Sequence, residues 1–188
     1  GNGTASNLAG GPSVYTADIT PSADGLVTVD VAASVANDTA GNGNSAAVQF
    51  SITYDTTAPT VTISSTATSP TNTSPIPVTV TFSEPVLNFI ASDVTVGNGT
   101  ASNLAGGPSV YTVDITPTAD GLVTGDVAAG VANDAAGNGN TAAAQFSISY
   151  DSVAPTTAIS STATSPTNTS PIPVTITFSE SVTGFTLG

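Results

Sequence analysis

IPVTVTF at residues 76–82 sets Ile76, Val78, Val80 and Phe82 in strict alternation with Pro77, Thr79 and Thr81. Successive side chains of an extended chain point to opposite faces, so this spacing predicts a strand with one face in a core. The same period recurs outward along the chain. VYTVDITP, residues 110–117, sets Tyr111, Val113 and Ile115 against Thr112 and Asp114. AAAQFSISY, residues 142–150, sets Ala144, Phe146, Ile148 and Tyr150 against Gln145, Ser147 and Ser149. VTISS after Pro59, SDVTV before Gly97, a short piece over residues 101–104 and GLVTGDVAA after Asp120 complete about seven strands. Turn residues gather between them, at 97–99, 105–108, 119–121 and 133–140. No stretch carries a helical period, which predicts an all-β domain.

The chain also repeats itself. GNGTASNLAGGPSVYT occurs at residues 1–16 and again at 97–112, an offset of 96. Over their full overlap, residues 1–92 and 97–188 agree at 73 positions and differ at 19, mostly by mild exchanges such as Val80 for Ile176. A period of this length is too long for one layer of a helical solenoid and suits a small antiparallel β-sandwich of about 100 residues. Proline-marked junctions, YDTTAPT at 54–60 and YDSVAPT at 150–156, read as linkers between copies. The expected division is therefore the later part of one copy in 1–54, a whole copy in 55–150, and the opening of a third in 151–188.

Thirteen acidic residues stand against no lysine, arginine or histidine, a net charge of −13. Such a chain repels nucleic acid and anionic membrane surfaces. The acidity reads either as a surface that gathers divalent cations or as plain solubility in a salty exterior. Without histidine, cysteine or lysine, most routes to general-base catalysis, thiolate chemistry, Schiff bases and zinc ligation are closed. No apolar run approaches 18 residues, so no membrane insertion is expected of this segment, and any export signal or anchor is expected outside it.

Three segments taken together, APTVTISSTATSPTNTSPIPVTVTFSEPV (58–86), SDVTVGNGTASN (92–103) and TADGLVTGDVAAGVANDAAGNGNTAA (118–143), with YD before the next AP, carry a family likeness. The chain resembles, over its whole length, the bacterial Ig-like domains strung in tandem through large surface adhesins and biofilm-associated proteins. That resemblance implies an Ig-like sandwich, a location at the bacterial cell surface, a spacer or adhesive role, and calcium at loops or linkers.

An Ig-type path returns the loop between the second and third strands, and the last hairpin, to the pole where the linker enters. Asp55 in the linker, Glu84 in the SEPV loop and Asp134 in the NDAAGNGN hairpin follow that rule, with Asp93 near the start of the third strand. Calcium takes six to eight oxygens in a flexible cage, and Asn133, Asn138 and Asn140 offer amide oxygens. Asp151 and Glu180 are the partial equivalent in the following copy; Asp38, Asn42 and Asn44 remain in the preceding one. The rival reading is turn chemistry, since Asp and Asn side chains bond nearby backbone. Neither the EF-hand loop nor the glycine-rich calcium nonapeptide is present. Asp24 and Asp120, in ADG turns, are expected to end strands at the opposite pole, and Asp18, Asp30, Asp114 and Asp126 to face outward and discourage edge pairing.

The functional expectation is a non-catalytic extracellular stalk whose partners are neighbouring Ig-like repeats, stiffened by calcium at the junctions. Two alternatives stay open. Strand exchange between copies would make a self-assembling fibre, and direct binding of a surface or glycan target would make an adhesion domain. For the latter, the chain has no tryptophan and directs Tyr111 and Tyr150 to the core. The pair Glu84 and Asp134 matches a glycosidase only formally.

Overall fold

In the computed structural model, which describes residues 1–186, the chain forms thirteen strands and one short 3-10 turn. The first four strands are β1 (Gly3–Gly10), β2 (Tyr15–Pro21), β3 (Gly25–Val29) and β4 (Phe50–Tyr54), paired β1 with β2 and β3 with β4. Seven more build a sandwich: β5 (Val61–Ser65), β6 (Ile76–Phe82), β7 (Val94–Gly97), β8 (Gly99–Gly106), β9 (Val110–Pro117), β10 (Gly121–Val127) and β11 (Phe146–Tyr150). Their order is β5-β6-β9-β8 in one sheet and β11-β10-β7 in the other. Lettered A to G in chain order, these are ABED and GFC, the two sheets of a constant-type Ig sandwich. A last pair, β12 (Thr157–Ser160) and β13 (Thr175–Phe178), follows.

The alternating faces meet between the sheets. Ile76, Val78, Val80 and Phe82 of β6, Val113 and Ile115 of β9, Val123 and Val127 of β10 and Ile148 of β11 are all buried in one cluster. Phe82, Phe89 and Tyr111 pack edge to face at 5.0–6.0 Å between centroids, closing the core toward the linker end. Gly125, on the inner face of β10, lies against Ile115 and Phe146.

Three details depart from the sequence expectation. β11 begins at Phe146, and Ala144 is exposed while Ala143 packs against the core. The reason is a shift of register: the β10–β11 ladder ends at Gly125↔Phe146 although β10 runs on to Val127, and before it the Ala143 N–H bonds Val127 O and the Thr141 N–H the Pro59 carbonyl, both at 2.9 Å. β8 runs longer than the short piece expected, with a bulge between Ser102 and Ala105 where Asn103 takes a φ of 54°. A 3-10 turn at Ala91–Asp93 precedes β7.

The loop after β5 closes the sandwich on one side. Thr71 pairs parallel with Tyr150, its N–H bonding Ser149 O and its carbonyl accepting from Asp151 N–H, both at 2.9 Å. The Ser149 N–H in turn bonds Ser69 Oγ at 3.0 Å.

β1–β4 repeat the registers of β8–β11, Gly3↔Pro21 matching Gly99↔Pro117 and Gly25↔Tyr54 matching Gly121↔Tyr150. The face that the sandwich covers stands open there. Ile52 is 57% exposed where its counterpart Ile148 is 3% exposed.

Candidate metal centre

The hairpin joining β10 to β11 is held by its own polar side chains. Asp134 Oδ1 accepts from the N–H groups of Ala136 and Asn138 at 2.8 Å each, and its Oδ2 from Asn138 Nδ2 at 2.8 Å. Asn140, 2% exposed, accepts from Ala132 N–H at 2.9 Å and donates to the carbonyls of Ala128 and Thr141 at 2.9 and 2.8 Å. The same bonds recur at Asp38, Asn42 and Asn44 in the first copy, where the loop is exposed. The same local side-chain bonds thus shape the hairpin in both copies.

Two stitches bring other elements to it. Leu87 N–H bonds Asn133 O at 2.7 Å, which draws the SEPV loop and Glu84 alongside. Asn138 Nδ2 also donates to Asp55 O at 3.1 Å, which fixes the linker. As a result Asp55, Glu84 and Asp134 each present a carboxylate oxygen, and the three oxygens lie within 4.8 Å of one another. Asp134 is 4% exposed and the other two are half-buried.

The electrostatics of the three differ. Burial, then the charges of Asp134 and Asp55, push the Glu84 carboxyl above its ordinary range. Burial would raise Asp134 too, but bonds from the Asn138 side chain and the backbone of Asn138, Gly137 and Ala136 outweigh it and hold that carboxyl low. Among the described residues none donates a hydrogen bond to Glu84, whereas Asp55 Oδ1 accepts from Thr57 N–H at 2.9 Å. A carboxylate has about four acceptor sites, so Asp134 keeps capacity for a cation after its three bonds. The donor set is all oxygen, which suits a hard cation.

The other sequence candidates are placed elsewhere or otherwise engaged. Asp93 lies outside the cluster, its Oδ2 accepting from Ile90 N–H at 2.8 Å to cap the 3-10 turn. The Asn140 amide is spent on backbone, and Asn138 bridges Asp134 to the linker. Asp151 and Glu180 are exposed, and among the described residues no third carboxylate groups with them. Asp24 and Asp120 do more than end strands. Asp24 accepts from Thr56 N–H at 3.0 Å, Thr56 Oγ1 at 2.8 Å and Thr57 Oγ1 at 2.7 Å. Asp120 accepts from Ser152 N–H at 2.9 Å and Ser152 Oγ at 2.8 Å. The hydroxyls following YD in both linkers were the available signal.

Two sheets ordered ABED and GFC, with polar loops gathered at the linker pole, define an Ig-like β-sandwich. A family model described as bacterial Ig-like domain matches residues 55–150, more than half of the chain's 188 residues. The chain belongs to that family of bacterial Ig-like domains. No curated protein and no solved structure matches it. The family's roles are structural or adhesive and generally non-enzymatic, and its members are often surface-associated. No helix in the described residues is long and apolar enough to cross a membrane.

Proposed function

We propose that the chain is a stretch of an extracellular stalk on a bacterial surface. In this reading 55–150 is a whole Ig-like repeat, and 1–54 and 151–188 belong to its neighbours. The near-identity of the copies supports it, because serial repetition supplies length where chemistry would need only one site. So do the registers of β3 with β4, which repeat those of β10 with β11 96 residues on. Strands exchanged between copies would make the fibre of the alternative reading.

A calcium ion at the linker pole completes the proposal. Asp55, Glu84 and Asp134 would hold it, with carbonyls and waters filling the remaining positions that calcium requires. The observation that carries this is the convergence of three carboxylates, from linker, loop and hairpin, in a chain without one basic side chain. An ion there would bind the linker more tightly to the domain it enters and stiffen the joint.

Thermal unfolding in calcium and in chelator tests it. A ligand bound only by the native state contributes about 2.7 kcal/mol at about 100 times its Kd. For a domain of this size that raises the midpoint by about 10–20 °C. The rise is expected in the native chain and absent in Glu84→Gln; coincident curves in calcium and chelator would remove the ion.

A further inference from the structure

Each linker is also gripped from the side it leaves. Asp24 lies in the turn between β2 and β3, 32 residues before Thr56, yet it takes the Thr56 N–H and the hydroxyls of Thr56 and Thr57. The arrangement occurs twice. Asp120, in the turn between β9 and β10, takes the N–H and Oγ of Ser152 at nearly the same distances. The two linkers read DTTAP and DSVAP, and the exchange of Thr56 for Ser152 keeps the hydroxyl that the carboxylate needs. The exchange of Thr57 for Val153 removes the other.

The rest of the linker is tied as well. Asp55 Oδ1 accepts from Thr57 N–H at 2.9 Å, and Asp151 Oδ1 from Val153 N–H at 3.0 Å, an Asx turn in each case. Farther on, Pro59 is buried and its carbonyl accepts from Thr141. Between the last residue of β4 and the first of β5, backbone freedom is left only near Ala58. A six-residue segment without such ties would behave as a hinge.

We propose that Asp24 and Asp120 are junction latches, positioning residues that fix the direction in which the chain leaves one repeat for the next, without a metal. The latch and the calcium site grip the linker from opposite ends: Asp24 from the repeat behind, Asp55, Glu84 and Asp134 from the repeat ahead. The first junction holds two hydroxyl bonds and the second one, so the first is the stiffer.

Backbone order parameters of the full chain in chelator decide it. The Thr56 and Ser152 amides are expected near the rigid value of about 0.85, falling below about 0.6 in Asp24→Ala and Asp120→Ala respectively. Thr56→Ser, which copies the second linker, is expected to keep Thr56 rigid. Val78 and Val113 in the core are expected not to move in any variant. Mobile Thr56 and Ser152 amides in the native chain, or amides equally rigid in both alanine variants, would overturn the latch. Loss of the calcium response in a separate titration would leave these values where they are, so the two readings fail independently.

Discussion

Glu84 stands beside two carboxylates with no donor among the described residues, so its charge is a liability in the folded state. Its carboxyl is raised, which means the penalty is absent below the ordinary glutamate range and grows as pH rises through the folded value. In chelator at neutral pH, Glu84→Gln is therefore expected to raise the unfolding midpoint, while abolishing any response to calcium. A calorimetric scan with and without the ion reads both effects. Asn140 is the opposite case, with its amide fully bonded inside the hairpin. Asn140→Ala strands the buried Ala132 N–H and is expected to cost about 1–3 kcal/mol, lowering the midpoint by about 4–8 °C per kcal/mol. The convergence of Asp55, Glu84 and Asp134 was legible in the sequence because a sandwich returns alternate loops to one pole. The linker role of Asp24 was not, since an ADG turn looks the same whether its carboxylate bonds its own backbone or a hydroxyl 32 residues away.

Strand existence was legible at the scale of elements, because alternation reports which face is buried. Strand ends were not, because long-range bonds set them and alternation does not report those: the Ala143 N–H takes the Val127 carbonyl, one residue out of register, and Ala143 rather than Ala144 meets the core. Outward carboxylates find amides in place of cations: Asp114 accepts from Asn103 at 3.0 Å and Asp126 from Gln145 at 3.0 and 3.1 Å. Both aspartates sit on interior strands, β9 and β10, so the expected guard against edge pairing falls instead to features such as the bulge in edge strand β8. Two glycines separate conformational need from space. Gly106 has a φ of +92° and an added Cβ would meet Val110 O at 2.6 Å, so Gly106→Ala is expected to destabilise by more than about 1 kcal/mol. On β10, a Cβ at Gly125 would make ordinary contact with Ile115 at 3.5 Å and Phe146 at 3.6 Å. Gly125→Ala is therefore expected to stabilise by about 0.4–1 kcal/mol. Denaturant midpoints of the two variants, shifted in opposite directions from the native chain, check the pair.

For the molecule as a whole, the missing basic side chains make pH response one-sided. Asp134 is held low, so the stability it contributes is present above the ordinary aspartate value and lost as pH falls through its own. Glu84 and the overall charge of −13 act in the other sense, relieved as protons bind. In chelator the midpoint is expected to climb on acidification from neutral pH, then fall as Asp134 protonates. The climb is expected to be smaller in Glu84→Gln, and a pH series of melts measures the difference. The bridge of Thr71 to β11 bears on the same molecule under tension. If the proposed repeats were pulled end to end, force would enter the sandwich beside Val61 and leave it beyond Tyr150. The segment through Thr71 runs parallel to β11, so the Thr71–Ser149 and Asp151–Thr71 bonds lie across the pull and are strained together. The sandwich is thus expected to resist extension in shear through this pair of bonds, placed where the chain leaves it.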